Sequence, residues 1–463
     1  MTPTPRRRGE LAALVVLFTV ATLLWTWPLG RHPSRAYLFA SATPSPLQRA
    51  DVHLTTWMLS WTAHALRTDP LGLFDANIFH PLRWTYALSE NLLAGALLVL
   101  PADLVRHDPV LNHNLLVLAS FVLGGVGTAL LVRELGGSFA AACVAGAFFV
   151  FNPHRFASLG HVQVLSSQWM PFALLALHRL LATGRWTAAV VFAACFLLQA
   201  LSSVYYLYFF GAAVVGFLLL HRILGCPSAP GARRMAWASL AAAGALLGLW
   251  MLPYAHARDV YSLGRTWNQA NFFVAPASAY LGAVLDPLGA LRERYVTHTS
   301  GTLLGLGALV LTCMSVVRTD TRRVAALYAG IALVGVFLSL GPRMKLYSPI
   351  APGVPGPWQL VAAVVPGFDA LRVPARAATV ALLGVAVLMG LGSDALLRAV
   401  RGRVARIGVV VALGATLLSE AWHTAPRVVA VAWPTGGPAV YQWLARQPGD
   451  FAVVDLPLGA PEV

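Results

Sequence analysis

A carboxylate and a histidine beyond the first apolar segment of this chain have the spacing of a reactive pair. Asp51 and His53 occur together in Arg49-Ala50-Asp51-Val52-His53, just before an amphipathic stretch. A carboxylate at such a position would act as a general base toward an acceptor hydroxyl, or would hold a divalent cation together with His53. The alternative is structural, because an aspartate that precedes an amphipathic helix is also a favoured N-cap.

A second set of polar residues lies farther along the chain. Phe79-His80-Pro81 is followed by Glu90, which has a helix-capping explanation of its own. Asn152-Pro153-His154-Arg155 and Gly160-His161-Val162-Gln163 lie at the two ends of a turn between apolar segments, where polar groups are costly unless they are partnered or functional. A histidine near a membrane interface is also often simply solvated. The candidate catalytic residues are Asp51, Glu90 and His161, and the candidate substrate contacts among the same segments are His53, His80 and Gln163.

The composition indicates what must position these residues. Of the 463 residues, 58% are hydrophobic and 11% are charged, whereas a soluble domain has about 25% charged residues. We therefore predict an all-α polytopic membrane protein. The formal net charge of +15 does not indicate nucleic-acid binding, because the arginines lie singly or in small groups at the ends of apolar segments. The four cysteines have neither a disulfide framework nor a zinc spacing.

The apolar segments are long enough to predict about eleven transmembrane helices. In chain order they are Leu11–Leu29, Val110–Arg133, Phe139–Asn152, Val162–Ala182, Trp186–Leu201, Val204–Arg222, Met235–Leu252, Gly301–Val317, Val324–Leu340, Ala375–Leu397 and Ile407–Trp422. Asn91–Val105 is shorter and contains Pro101, so we assign it to the membrane surface, as we do the amphipathic helix predicted over Asp51–Arg67.

The arginine distribution predicts the orientation of these helices. With Asn91–Val105 lying flat, the short loops on one side are rich in arginine, which the positive-inside rule assigns to the cytoplasm. The N-terminus is then cytoplasmic and the C-terminus extracytoplasmic, in a multi-pass protein of the cytoplasmic membrane. Residues 1–424 form the transmembrane domain, with a first outer loop at about 30–109. Residues 425–463, with a predicted helix at Pro438–Gln447 and a partnerless strand at Phe451–Leu456, are the beginning of a truncated outer α/β domain.

Basic residues in the predicted outer loops run against this orientation rule and need another explanation. They are Arg258, Arg265, Lys345, Arg372 and Arg376. A guanidinium group matches a phosphate or pyrophosphate with two parallel hydrogen bonds, so these residues are candidate contacts for a phosphorylated substrate. Ordinary contact with anionic lipid headgroups is the alternative.

Taken together, these features resemble the GT-C superfamily of membrane glycosyltransferases, in particular its bacterial YfhO-like and mannosyltransferase-like groups. The resemblance covers most of the chain. It depends on the large first outer loop with Asp51, the surface segments around Trp57-Met58-Leu59-Ser60-Trp61 and Asn91–Val105, Phe151-Asn152-Pro153, the turn with His161 and Gln163, and Pro366-Gly367-Phe368 followed by Arg372-Val373-Pro374-Ala375-Arg376.

The resemblance implies transfer of a sugar from a polyprenyl-phosphate donor to a lipid, glycan or protein acceptor on the outer face of the membrane. Asp51 would be the catalytic carboxylate, Glu90 and His161 would be secondary acid, acceptor or metal contacts, and Arg372 and Arg376 would hold the phosphate leaving group. The resemblance fixes no cofactor, and a divalent cation held by Asp51 and His53 stays an open alternative. Two alternatives stay open: a transporter or flippase of a lipid-linked intermediate, and a non-catalytic membrane assembly protein with the same fold.

Overall fold

The computed structural model describes residues 5–264, 267–280, 304–346, 353–421, 426–431, 438–449 and 451–454. Most of them are helical. Up to residue 280 the elements are α1 (Pro5–Trp25), β1 (Ala36–Phe39), α2 (Pro46–Thr68), α3 (Leu93–Val105), α4 (Pro109–Glu134), α5 (Phe139–Val150), α6 (Pro153–Ala157), α7 (Val162–Leu165), α8 (Trp169–Thr183), α9 (Trp186–Ala200), α10 (Val204–Ile223), α11 (Ala232–Trp250), α12 (Leu252–Val260) and α13 (Trp267–Phe272). From residue 304 they are α14 (Leu306–Met314), α15 (Arg322–Ser339), β2 (Arg343–Met344), β3 (Val354–Pro355), α16 (Trp358–Val364), α17 (Ala378–Ala399), α18 (Arg403–Ala421), β4 (Arg427–Ala430) and α19 (Ala439–Leu444).

Six helical segments within the described residues are long and apolar enough to cross a membrane. They are Arg8–Trp25, Pro109–Glu134, Val204–Ile223, Ala232–Val260, Arg322–Ser339 and Pro374–Ala399. The chain therefore has the helix lengths of a membrane protein. The count of eleven spans stays a prediction, because α5 and α9 have only 12 and 15 residues. The span predicted at 301–317 appears as the nine-residue α14, and residues 301–303 lie outside the described residues.

Helix α17 is the central helix of the bundle. All but three of its 22 residues are buried, and it packs against α5, α14 and α15. Small residues permit this packing: a Cβ at Gly335 of α15 would lie only 2.3 Å from the backbone nitrogen of Ala381. Because α17 is fixed on several sides, the 3-10 turn at its start, Pro374–Ala377, is a rigid platform for Arg376.

The predicted first outer loop contains a helix over the amphipathic segment, but that helix begins earlier than expected. Helix α2 starts at Pro46, where Ser45 and Gln48 form a reciprocal capping box. The backbone N–H of Gln48 donates to Ser45 Oγ at 3.3 Å, and the backbone N–H of Ser45 donates to the side-chain Oε1 of Gln48 at 2.9 Å. The interpretation of Asp51 as an N-cap is therefore wrong, because Ser45 already fills that position.

Helix α3 has 13 residues, a length of about 20 Å at 1.5 Å per residue. That is too short to cross a ~30 Å layer.

Charged side chains gather at one end of the bundle, where the predicted inner loops meet. Arg133 of α4 pairs with Glu10 of α1 at 2.8 Å, and Arg179 of α8 pairs with Glu134 at 2.8 Å. Beside them, Asp394 of α17 pairs with both Arg318 and Arg398, at 2.5 and 2.7 Å. The candidate site lies at the opposite helix ends. The assignment of the arginine-rich end to the cytoplasm stays a prediction.

The segment predicted as one continuous helix, Val162–Ala182, is broken in the structure. Helix α7 ends at Leu165 and α8 begins at Trp169. The side chain of Gln199 on α9 forms hydrogen bonds with the backbone groups at the break. Its Oε1 accepts from the Trp169 and Met170 N–H groups at 3.1 Å each, and its Nε2 donates to the Ser166 carbonyl at 2.8 Å. Because a side chain replaces the lost helical hydrogen bonds, the polar segment Ser166–Gln168 persists among apolar helices.

The strands near the chain ends also differ from expectation. Strand β4 pairs antiparallel with β1 of the first outer loop, with Ala36 opposite Ala430 and Phe39 opposite Arg427. The 425–463 segment thus begins by completing a two-stranded sheet with residues almost 400 positions earlier. The helix predicted at Pro438–Gln447 appears as α19. Residues 451–454 are not in a strand, and residues 455 and 456 of the predicted strand lie outside the described residues.

Candidate functional site

Asp51 lies in the second turn of α2, facing the loop between α6 and α7. Its Oδ2 lies 3.3 Å from Nε2 of His161, with the carboxylate 34% and the imidazole 16% exposed. His161 immediately precedes α7 and makes no side-chain capping bond to that helix. Two of the three candidate catalytic residues are therefore in direct contact, and neither side chain is used to begin a helix.

Glu90 is the centre of a second group of contacts. It does not cap α3, whose N-cap position is Leu92. Instead, its Oε1 accepts from Nη1 of Arg376 at 2.6 Å, and its Oε2 accepts a short hydrogen bond from the hydroxyl of Ser203. Gln163 Nε2 lies 3.5 Å from Oε1, at the limit of hydrogen bonding. The capping interpretation of Glu90 is therefore wrong, since its carboxylate binds a nearly buried arginine.

The guanidinium of Arg376 is held between Glu90 and an aromatic ring. Its central carbon lies 4.3 Å from the ring centroid of Tyr205, a cation–π distance. The Tyr205 hydroxyl in turn accepts hydrogen bonds from the backbone N–H groups of Arg372 and Val373, at 3.1 and 3.2 Å. Tyr205 thus fixes both the side chain of Arg376 and the backbone that leads to it.

One short helix connects the two carboxylates. His161 and Gln163, at the start of α7, contact Asp51 and Glu90 respectively. We call Asp51, His161, Gln163, Glu90 and Arg376 the carboxylate site. The sequence predicted all five as functional candidates, and the structure brings them into one chain of contacts.

Behind the carboxylate site, His154 of α6 is buried and has a hydroxyl partner. Its Nε2 lies 3.2 Å from Oγ1 of Thr379 on α17, and Tyr206 Oη lies 3.1 Å from the same oxygen. Burial, together with the nearby positive charges of Arg155 and Arg376, lowers the pKa of His154 to about 4. The imidazole is consequently neutral near pH 7.

Several predicted substrate contacts lie elsewhere. His80 is exposed. His53 packs edge-on against Tyr37, with ring centroids 5.8 Å apart, and its pKa is lowered by burial and by the charge of Arg49. No cluster of three or more His, Cys, Asp or Glu side chains with metal-binding geometry occurs in the described ranges, so the pair Asp51 and His53 has no third ligand of those types there.

The outer basic residues are also mostly engaged outside the carboxylate site. Arg258 forms a bidentate pair with Asp369 at 2.6 and 3.1 Å, and its guanidinium holds the pKa of Asp369 below the usual value. Lys345 donates to the Asn271 carbonyl at 2.9 Å. The Arg372 guanidinium lies over the ring of Phe273 at 5.3 Å. Arg265 lies outside the described residues. Among the members of this set that the structure describes, Arg376 is the one shown to pair with a candidate catalytic carboxylate.

Sequence reasoning missed the residues that hold the site together, namely Ser203, Tyr205, Tyr206 and Thr379. A signal was present, since Ser202-Ser203 and Tyr205-Tyr206 are polar and aromatic pairs at the start of an apolar segment.

Comparison with known proteins adds no family to this description: no protein-family model matches the chain, and no curated protein is significantly similar to it.

Proposed function

We propose that the carboxylate site is the active site of a membrane glycosyltransferase whose donor is a polyprenyl-phosphate-linked sugar. The supporting observation is the pairing of two carboxylates with different partners in one cluster. Asp51 faces a histidine, as a proton acceptor would, and Glu90 orients an arginine of the kind that binds phosphate.

In this reaction the acceptor oxygen forms a bond to the anomeric carbon of the sugar while the bond from that carbon to the phosphate oxygen breaks. Asp51 takes the proton of the acceptor hydroxyl, and His161 orients its carboxylate. The electron pair of the broken bond leaves with the polyprenyl phosphate. Arg376, positioned by Glu90 and Tyr205, stabilises the charge that develops on that phosphate.

The test compares Asp51→Asn with the wild type in liposomes that contain a panel of polyprenyl-phosphate hexoses, following the release of polyprenyl phosphate. Removing a general base should reduce transfer by about 10²–10⁴-fold. Asp320→Asn is the matched control, because Asp320 is a carboxylate paired with Arg318 at the opposite end of the bundle and should keep wild-type transfer. Wild-type turnover by a folded Asp51→Asn protein would remove Asp51 from the mechanism.

A transporter or flippase of the same lipid-linked intermediate is the second candidate, favoured by the break between α7 and α8. Interrupted helices with polar side chains at the break are typical of transporter binding sites. The two candidates differ in their dependence on Asp51. A transporter would move a labelled polyprenyl-phosphate sugar across a proteoliposome membrane without releasing polyprenyl phosphate, and Asp51→Asn would not abolish that movement.

A further inference from the structure

Arg155 is a charged residue deep among apolar helices. Only 2% of its surface is exposed. One guanidinium nitrogen donates to Ser167 Oγ at 2.6 Å and another to Ser120 Oγ at 3.0 Å, while the guanidinium carbon lies 4.7 Å from the ring centroid of Phe121. Ser120 is 11 residues into α4, roughly 16 Å from the start of that helix at 1.5 Å per residue.

The partners of Arg155 are all neutral. Within the part of the chain that the structure describes, no carboxylate is paired with this guanidinium, and the ionisable group that acts on it is Tyr206. Its Nε–H makes no hydrogen bond. Arginine cannot discard its proton at accessible pH. A buried ion without a counter-ion is strongly unfavourable, which is why buried charges are normally paired.

The nearest charges do not compensate it. His154, the preceding residue, shares Thr379 with Tyr206, and Arg376 lies three residues before Thr379 in the chain. Arg376 is already matched by Glu90. The polar region between α4, α6, α8 and the start of α17 therefore contains two guanidinium groups and one carboxylate among its described residues, and one positive charge remains in excess.

A second unsatisfied group is the residue that follows Ser167, the hydroxyl partner of Arg155. Gln168 follows Ser167 in the break between α7 and α8, is completely buried, and has neither its amide nitrogen nor its amide oxygen hydrogen-bonded to any described residue. The backbone N–H groups at the start of α8 are already satisfied by Gln199. The unused hydrogen-bonding capacity among the described residues of this segment is therefore in side chains: those of Gln168 and Trp169, and that of Arg155 beside Ser167.

We infer that Arg155, Ser120, Ser167 and Gln168 form a binding site for a phosphate-type oxyanion, which supplies the missing negative charge. The free Nε–H of Arg155 and the amide nitrogen of Gln168 are donors suited to phosphate oxygens. The hydroxyls of Ser120 and Ser167 hold the guanidinium by accepting its other N–H groups, and they donate to the carbonyls of Val117 and Leu165. Two sources have this chemistry: the headgroup of a polyprenyl-phosphate lipid and free inorganic phosphate. The lipid as occupant rests on the proposed function, whereas the anion site itself does not.

The test measures binding without turnover, so that its failure is distinct from the failure of glycosyl transfer. The apparent Tm of the purified full chain in detergent is followed by tryptophan fluorescence while inorganic phosphate or a polyprenyl phosphate is titrated. The uncharged polyprenol and sodium chloride at equal ionic strength are the controls. Stabilisation should grow with the logarithm of ligand concentration above Kd. A response to the lipid phosphate alone identifies a headgroup site, and a response to inorganic phosphate identifies an oxyanion site open to free phosphate. No response to either, or an equal response to polyprenol, overturns the inference.

Two matched variants separate an anion site from a structural arginine. Arg155→Met removes a charge that has no counter-ion, so the ligand-free Tm should stay unchanged or rise while the phosphate-induced shift disappears. Arg133→Met removes a charge paired with Glu10, so its ligand-free Tm should fall while the shift persists. If Arg155→Met instead lowers the ligand-free Tm as Arg133→Met does and keeps the shift, the arginine is structural.

Arg155→Lys is the second variant if Arg155→Met does not fold. It retains the charge but loses the planar fork, so the apparent Kd for the phosphate ligand should rise at least tenfold. An unchanged Kd would contradict the inferred site.

Discussion

The ion pair between Glu90 and Arg376 permits the sharpest quantitative prediction about the carboxylate site. The two groups are 2.6 Å apart, with side chains only 16% and 12% exposed. For unit charges about 4 Å apart, an effective dielectric constant of about 20 gives an attraction of about 4 kcal/mol. Removing one partner also leaves the other charge buried, and such single substitutions typically cost about 3–5 kcal/mol.

We therefore expect Arg376→Met and Glu90→Gln each to destabilise the protein by about 3 kcal/mol or more. Arg376→Met leaves the Glu90 carboxylate with Ser203 and Gln163 as its donors among the described residues. Glu90→Gln leaves the Arg376 guanidinium with the ring of Tyr205. The double variant has neither uncompensated charge, so it should be more stable than the sum of the single effects predicts, by about 2–3 kcal/mol.

The assay is the apparent Tm of the four proteins in one detergent at one heating rate, because thermal unfolding of such proteins is commonly irreversible and scan-rate dependent. The control cycle uses Glu134→Gln and Arg179→Met, whose pair has a similar separation of 2.8 Å but is 30% and 51% exposed. Exposed pairs contribute about 0–1 kcal/mol, so this cycle should show little coupling. Strictly additive effects at Glu90 and Arg376, or coupling no larger than in the control cycle, would refute the argument that this pair is an energetic centre of the site.

Three further predictions test the surroundings of the site. The pKa of His154 is about 4 in the folded protein and about 6.5 in the unfolded chain. The stability present above pH 6.5 should therefore fall by on the order of 3 kcal/mol between pH 6.5 and pH 4, because the unfolded chain binds the proton more tightly there. His154→Asn should flatten this part of a curve of Tm against pH. Asp394→Asn should lower the Tm by several degrees, because it leaves two arginines at the arginine-rich end without their shared carboxylate; an unchanged Tm would contradict that network. Gly335→Ala should also lower the Tm, since its Cβ would overlap the backbone of α17, whereas Gly244→Ala, with no atom within 4 Å of the added Cβ, should not.

The sequence allowed prediction of the features that depend on local composition. Apolar segments predicted the long helices, and the positions of arginine predicted which helix ends meet, as the pairs of Glu10 with Arg133 and of Asp394 with Arg318 show. The residue types of the carboxylate site were also recognisable, because carboxylates and histidines are rare between apolar segments. Their pairing was not predicted: no local rule joins Glu90 to a residue 286 positions away.

The features that escaped prediction depend on distant partners or on a local signal that was overlooked. The break at Ser166–Gln168 is stable because Gln199, on the next helix, supplies its hydrogen bonds, and hydropathy does not report such a partner. Strand β1 needs β4 from the far end of the chain. The start of α2, by contrast, was readable: Ser45-Pro46-Leu47-Gln48 has the spacing of a capping box, and recognising it would have removed the capping interpretation of Asp51.

The two proposals meet on the segment from His161 to Gln168. Its first residues contact the carboxylates Asp51 and Glu90, and Ser167, in the break after α7, binds Arg155. A ligand phosphate that draws Arg155 and Gln168 toward it would act on the same short, interrupted segment that orients Asp51 through His161. An unbroken helix over Val162–Ala182 would couple these contacts rigidly to the bundle, whereas the break lets the His161 end respond to the Ser167 end. If the inferred site binds the donor phosphate, occupancy at Arg155 should therefore change the environment of His161, and NMR of a protein labelled at histidine would detect that change as a shift of the His161 signal even in the inactive Asp51→Asn variant.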